Sequence, residues 1–218
     1  MMNMIGLSFT VVMDQFIMMS FAQVMQIPVD YPVFSREIVN QMYSPSAFFL
    51  AKQLVSMFTF FFYPFITSLS SFYFLGFPDT SFDKFMHYAV INALAAYCGS
   101  QYGFTMGTIF SDCMMAVNAN HLSILLLTFG GGLAANIGQN SNLLVRALSY
   151  VAPQRYAGEL MMREVLQNNA IFVKIQILNF FGYTAGEEYC VKYLIGFFFF
   201  MFFLGWLTMI YKTHYNCF

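Results

Sequence analysis

The sequence predicts an all-α fold, a polytopic membrane domain crossing the bilayer about five times. Three observations carry this. Hydrophobic residues make up 59% of the 218 residues and charged residues only 9%, against roughly 25% charged in a soluble domain. Charges are also absent from four long intervals, 53–78, 85–111, 113–145 and 193–211, of 26, 27, 33 and 19 residues. About 20 apolar residues at 1.5 Å rise cross a ~30 Å hydrocarbon core, so each interval is long enough. Finally, nine Lys/Arg oppose ten Asp/Glu for a net charge of −1. That balance excludes a basic nucleic-acid-binding protein, and the hydrophobicity excludes a disordered chain. Membrane lipids are the expected surroundings, with no nucleic-acid partner.

Span one is expected at 5–27, interrupted only by Asp14 and ended by Pro28. It lacks the basic flank and small-residue cleavage site of a signal peptide. Asp30-Tyr31-Pro32 then reads as a cap followed by a first-turn proline. A short separate helix over 33–43 follows, with Phe34, Ile38 and Met42 on its apolar stripe and Arg36, Glu37 and Asn40 polar. Ser44-Pro45 repeats the cap signal and opens span two at 47–75, with a kink expected at Pro64. Gly76 to Asp79 is a turn. Span three, 85–109, carries Ala95, Gly99, Gly103 and Gly107 four apart, a stripe that lets two helix backbones approach closely in lipid. Span four, 115–135, contains the run Gly130-Gly131-Gly132 near its end. Residues 136–192 hold five cations and four anions and are too polar to span, with an amphipathic helix over 154–167. Span five, 193–211, stops at Lys212-Thr213-His214.

Catalytic motifs are missing. The chain has no GxxxxGK[ST] phosphate loop, HExxH or GxSxG. Its four cysteines form no CxxC pair, His87, His121 and His214 are far apart, and no metal site is expected. Glu187-Glu188 reads as a solvated turn. No catalytic residue is assigned, so function must come from membrane architecture or from partners.

Three stretches resemble one family. Phe34-Ser35-Arg36-Glu37 through Tyr43-Ser44-Pro45-Ser46-Ala47-Phe48-Phe49-Leu50-Ala51-Lys52 resembles the RE…MYSPSAYFLAK stretch of G-subfamily ABC transporters, which joins their second and third membrane helices. Gly131 to Asn136, then Tyr150-Val151-Ala152-Pro153-Gln154-Arg155-Tyr156 and Glu164, resemble their SGLLVN…Y-x-SP-x-RY…NEF stretch. Gly186-Glu187-Glu188-Tyr189-Cys190-Val191-Lys192 is similar to the GEEYLVK segment before their last helix. The resemblance implies a type-2 exporter membrane domain whose spans are helices two to six of six, lacking the first helix and the nucleotide-binding domain. It makes the helix at 33–43 a cytoplasmic coupling helix, with Phe34, Arg36 and Glu37 as coupling residues, and 136–192 an external loop with a re-entrant helix. It implies that ATP and Mg act on the absent domain, with no cofactor in this chain. The implied partners are an ABC nucleotide-binding domain, a second protomer forming a homo- or heterodimer, and a small amphipathic substrate.

Lys/Arg placement runs against this orientation. Six lie on the side of Lys84 and the large segment, and three on the side of Arg36. The positive-inside rule weakens for long loops, so the orientation implied by the resemblance is adopted.

Substrate-binding candidates follow from helical spacing joined to that resemblance. Thr10, Asp14, Ile17 and Phe21 share a face of span one. Asp14 is the acid deep in a span, a functional-site hypothesis by default. The family usually has Asn there, so cationic substrates become plausible. In span four, His121, Leu125, Thr128 and Gly132 share a face and align with cavity positions. Leu133 aligns with the first of two leucines that gate the cavity from outside, and Ala134 stands in place of the second. The predicted function is the permease part of an exporter of lipids, sterols or amphipathic xenobiotics. The alternative is a structural membrane subunit using the same helices without transport.

Overall fold

The computed structural model describes residues 2–75, 81–132, 142–167 and 171–216. The described residues form eight helices: α1 (Met2–Val39), α2 (Pro45–Leu75), α3 (Phe82–Ile109), α4 (Cys113–Gly130), α5 (Leu143–Val151), α6 (Pro153–Val165), α7 (Ile171–Phe181) and α8 (Glu187–Asn216). No strand occurs among them. The all-α polytopic membrane fold expected from composition is the one observed. Four helices, α1, α2, α4 and α8, are long and apolar enough to cross a membrane. The fifth expected span, α3, is about 42 Å long by its 28 residues. It is less apolar because it buries Asn92, Ser100, Gln101, Thr105 and Thr108. Those polar groups are tolerable because α3 is enclosed by its neighbours rather than by lipid.

Helix α1 packs on α3 backbone to backbone. A Cβ added to Gly99 would lie 2.2 Å from the Phe16 carbonyl oxygen, one on Gly103 2.1 Å from that of Ser20, and one on Gly107 2.9 Å from that of Val24. Residues 16, 20 and 24 thus match 99, 103 and 107 turn for turn, and the two helices run parallel. The glycine stripe is thereby assigned to a partner within the chain.

The break expected at Pro28 is absent. Helix α1 continues through Pro28 and Pro32 to Val39, so 33–43 is not a separate helix. Eleven residues alone would be marginal in water. Here residues 33–39 extend a helix already fixed against α3, and membrane helices tolerate proline where neighbours hold the chain. Asp30 does not start a new helix; its carboxylate pairs with Lys52 of α2. The expected stripe also divides. Phe34 is fully buried against Phe48, Phe49 and Phe104, Ile38 is half-buried, and Met42 is exposed.

Helix α1 ends in a Schellman turn. The Met42 N–H donates to the Glu37 carbonyl and the Gln41 N–H to that of Ile38. Gln41 takes φ 56°, a left-handed position usually given to glycine. Helix α2 opens as expected, with the Ala47 N–H donating to the Ser44 hydroxyl at 3.3 Å, and is continuous through Pro64. Asp112 caps α4 by accepting from the Met115 N–H at 3.2 Å. Helix α4 stops at Gly130, and Gly132 has φ 98°.

Helix α6 replaces the amphipathic helix expected at 154–167. It is buried on every side from Pro153 to Met162, wedged among α1, α3, α4 and α8. A helix so enclosed needs its charges paired. Glu159, fully buried, accepts from Arg163 Nε at 3.1 Å and Nη2 at 2.6 Å, and from the N–H groups of Ala185 and Gly186. Arg155 donates to the Ser149 hydroxyl and the Gly182 carbonyl. Glu187 and Glu188 form the first turn of α8, where acidic residues suit the helix dipole. At the far end, α8 runs past its expected stop. Lys212 turns inward, donates to the carbonyls of Thr108 and Phe110, and so caps the C-terminus of α3.

Two predictions follow from these contacts. Gly103→Ala should lower stability by about 1–3 kcal/mol, because the methyl meets backbone rather than a flexible side chain. Gly196→Ala, with nothing within 4 Å, should be neutral or stabilising. Thermal unfolding in detergent checks both, and equal unfolding temperatures would refute the close contact. Glu159→Ala should cost about 3–5 kcal/mol by leaving Arg163 without its partner. Lys192→Ala, at the exposed pair with Glu188, should leave the same transition in place.

Candidate functional site

Helices α1 and α4 run antiparallel, and a buried hydrogen bond from Ser20 Oγ to Asn120 Oδ1 at 2.9 Å sets their register. The next residue on each helix brings the Phe21 and His121 rings together, with centroids 5.6 Å apart. Beside this contact the two helices line a groove of about 250 Å³. Ile17 and Phe21 line it from α1, and His121, Ile124, Leu125, Thr128 and Phe129 from α4.

The lining is apolar apart from two groups. The Thr128 hydroxyl donates to the Ile124 carbonyl of its own helix at 2.9 Å, so it is already satisfied. His121 is exposed and supplies the ionisable group of the groove. No carboxylate or cationic side chain lines it. The arrangement suits an apolar or flat molecule that stacks on an aromatic ring and meets one imidazole edge.

The structure therefore brings together five sequence-selected residues: Ile17, Phe21, His121, Leu125 and Thr128. Asp14 lies one turn from Ile17 on the same face, half-buried, and is outside the lining. Its neighbour Gln15 faces α2 and donates to the Thr67 hydroxyl at 2.8 Å. Thr10 is exposed and bonds back to the Gly6 carbonyl. Leu133, the residue expected to gate the cavity, lies outside the described residues. Ile124 and Phe129 are additional lining residues. Both fall on the stripe 121, 124, 125, 128, 129, the i, i+3, i+4, i+7, i+8 pattern of one helix face, so the sequence carried the signal.

The three coupling candidates occupy different surroundings. Phe34 packs within the chain, its ring centroid 4.3 Å from that of Phe48. The Glu37 carboxylate accepts from the Tyr43 hydroxyl. Arg36 is exposed at the end of α1. Among the described residues no group of His, Cys, Asp or Glu could hold a metal ion.

Comparison with known proteins places these features. A search of the curated proteins finds no match. The profile of one family, described as ABC-2 type transporter, matches residues 1–166, a stretch that contains both walls of the groove and all of α6. This is the integral, multi-pass membrane part of an ABC transporter, which pairs with an ABC nucleotide-binding domain. With most of its length matched, the chain belongs to the ABC-2 type transporter family.

Proposed function

We propose that the chain is the permease part of a G-subfamily exporter moving apolar or amphipathic molecules, and that the α1–α4 groove is half of its substrate cavity. The groove carries this reading. At about 250 Å³ and open along one side, it falls short of the roughly 300–1,000 Å³ of a ligand pocket. A second wall would complete it, and a second protomer related by a two-fold axis would supply one, with the same residues in a homodimer and the corresponding ones in a heterodimer. Homo- and heterodimers both satisfy this geometry.

ATP and Mg would act on the nucleotide-binding domain, since this chain has no phosphate loop. Closure of two such domains would shift the cavity from inward to outward access, the two states differing in affinity for substrate. Asp14, one turn from the groove, would favour cationic substrates by offsetting the cost of a charge held in lipid. Leu133 would stand at the outer exit. At the cytoplasmic end, the exposed Val33, Arg36, Val39 and Met42 would meet the ATPase domain. Phe34 would hold that end of α1 from within, and Glu37 would fix the turn through Tyr43.

Leu125→Trp should fill the groove without disturbing the Ser20–Asn120 contact. In the chain joined to its nucleotide-binding domain, transport and substrate-stimulated ATP hydrolysis should fall about tenfold or more, with the unfolding temperature kept. Unchanged transport would favour a structural subunit instead. Asp14→Asn should reduce transport of cationic relative to neutral substrates, read as the ratio of the two rates. The coupling end separates by a different pair. Phe34→Ala opens a cavity and should lower stability by about 3–5 kcal/mol. Arg36→Ala should keep stability and reduce the stimulation of ATP hydrolysis by substrate; full stimulation would remove this surface from the transmission path.

A further inference from the structure

A second hollow, of about 400 Å³, lies between α3, α6 and α8 and shares no lining residue with the α1–α4 groove. Its lining is graded along the helices. His87, Arg163, Glu164 and Glu187 form one end. Val90 and Leu94 continue α3 below His87, and Val191 continues α8 below Glu187. The two helices are parallel and in step: Cys98 donates to the Leu194 carbonyl and Thr105 to that of Met201. By that register Glu187 is level with Ile91, one turn below His87, and Val191 is level with Ala95; the polar residues therefore gather toward the starts of both helices, and the apolar wall of Leu94 and Val191 lies below them along α8, long and apolar enough to cross a membrane. A hollow with a charged mouth over an apolar wall fits an amphiphile, head at the mouth and tail along the wall.

The charges at the mouth select the sign of the head. Arg163 is committed to the buried Glu159. Glu164 and Glu187 remain as two carboxylates, opposed within the lining by His87. Lys84 and Lys174 act on Glu164 electrostatically but lie outside the lining. Burial raises the Glu164 carboxyl above the usual carboxylate range; His87 opposes the rise and the charge of Glu187 adds to it. A cation placed between the two acids removes their mutual repulsion and offsets the desolvation of Glu164.

We infer that this hollow binds an ammonium-headed amphiphile, its head between Glu164 and Glu187 and its tail along Val90, Leu94 and Val191. An ethanolamine or choline phospholipid and a free amphipathic amine share that chemistry. The site is independent of the transport reading above, because it needs no second protomer and no nucleotide.

The test uses the whole chain in detergent, with dioleoylphosphatidylethanolamine, dioleoylphosphatidylglycerol and dodecyltrimethylammonium as probes and native mass spectrometry as the readout. The ethanolamine lipid or the quaternary amine should be retained about tenfold or more over the glycerol lipid. Glu164→Gln with Glu187→Gln should abolish that preference at an unchanged unfolding temperature. Leu94→Trp, which leaves every charge in place, should weaken retention by filling the wall. Preference should also decline as pH falls through the raised range of Glu164, since the protonated acid no longer pairs with a cation. Retention of the phospholipid identifies a lipid site, and retention of the amine alone identifies a site for free amines. Equal or stronger retention of the glycerol lipid, or a preference that survives both variants, would overturn the assignment.

Discussion

The bundle depends on the direct backbone contact between α1 and α3. Three glycines of α3 remove the side chains that would otherwise separate the two helices, and three successive turns of α1 fill the space. In lipid, helices gain little by hiding apolar surface from one another, so close approach and dispersion contacts must replace the hydrophobic effect. Several other features follow from this seam. It carries α1 past two prolines, and it sets where Ser20 meets Asn120. It also fixes the face of α1 that lines the groove with α4. Helix α3 can bury five polar side chains because α1, α2 and α8 surround it: Gln101 donates to Gln53, Asn92 to Ser68, and Thr105 to the Met201 carbonyl.

The second organising element is α6. Its buried charges are expensive to place in a membrane protein, and the structure satisfies Glu159 locally. Glu159 gathers four donors from α6 itself and from the residues just before α8. The short helix is thus tied to the start of a spanning helix. Tyr183 adds a tie between the same loop and the end of α4 by donating to the Gly131 carbonyl at 2.7 Å. Helix α6, set in a stretch that reads as a polar external loop, is therefore part of the packed core at one end of the bundle.

Much of the architecture was legible in the sequence, and the failures have physical causes. Charge-free intervals located the long helices because a charge in lipid is costly wherever it falls. Helical spacing found most of the groove, since a face of α4 is a matter of period alone. The stripe from Ala95 to Gly107 announced close packing but not the partner, which is settled by tertiary contacts. Pro28 and Pro32 misled for the same reason. A local rule about helix termination yields when the helix is already held by a neighbour. The burial of α6 was also hidden, because Arg155, Glu159 and Arg163 mark a polar surface in any window that cannot see their partners. Lys212 reads as an interfacial stop, yet it reaches back to another helix's carbonyls.

The continuity of α1 has a mechanical consequence. Phe21, at the groove, and Arg36, at the opposite end, stand on one uninterrupted helix about 22 Å apart along its axis. A loop between them would absorb displacement in its own dihedral angles. A single rod instead converts a small tilt at the glycine seam, where Phe21 sits, into a proportional sweep at the Arg36 tip. The lever arm is fixed by the number of residues between seam and tip, so inserting or deleting one residue near Pro32 would turn the tip by about 100° rather than merely lengthen it.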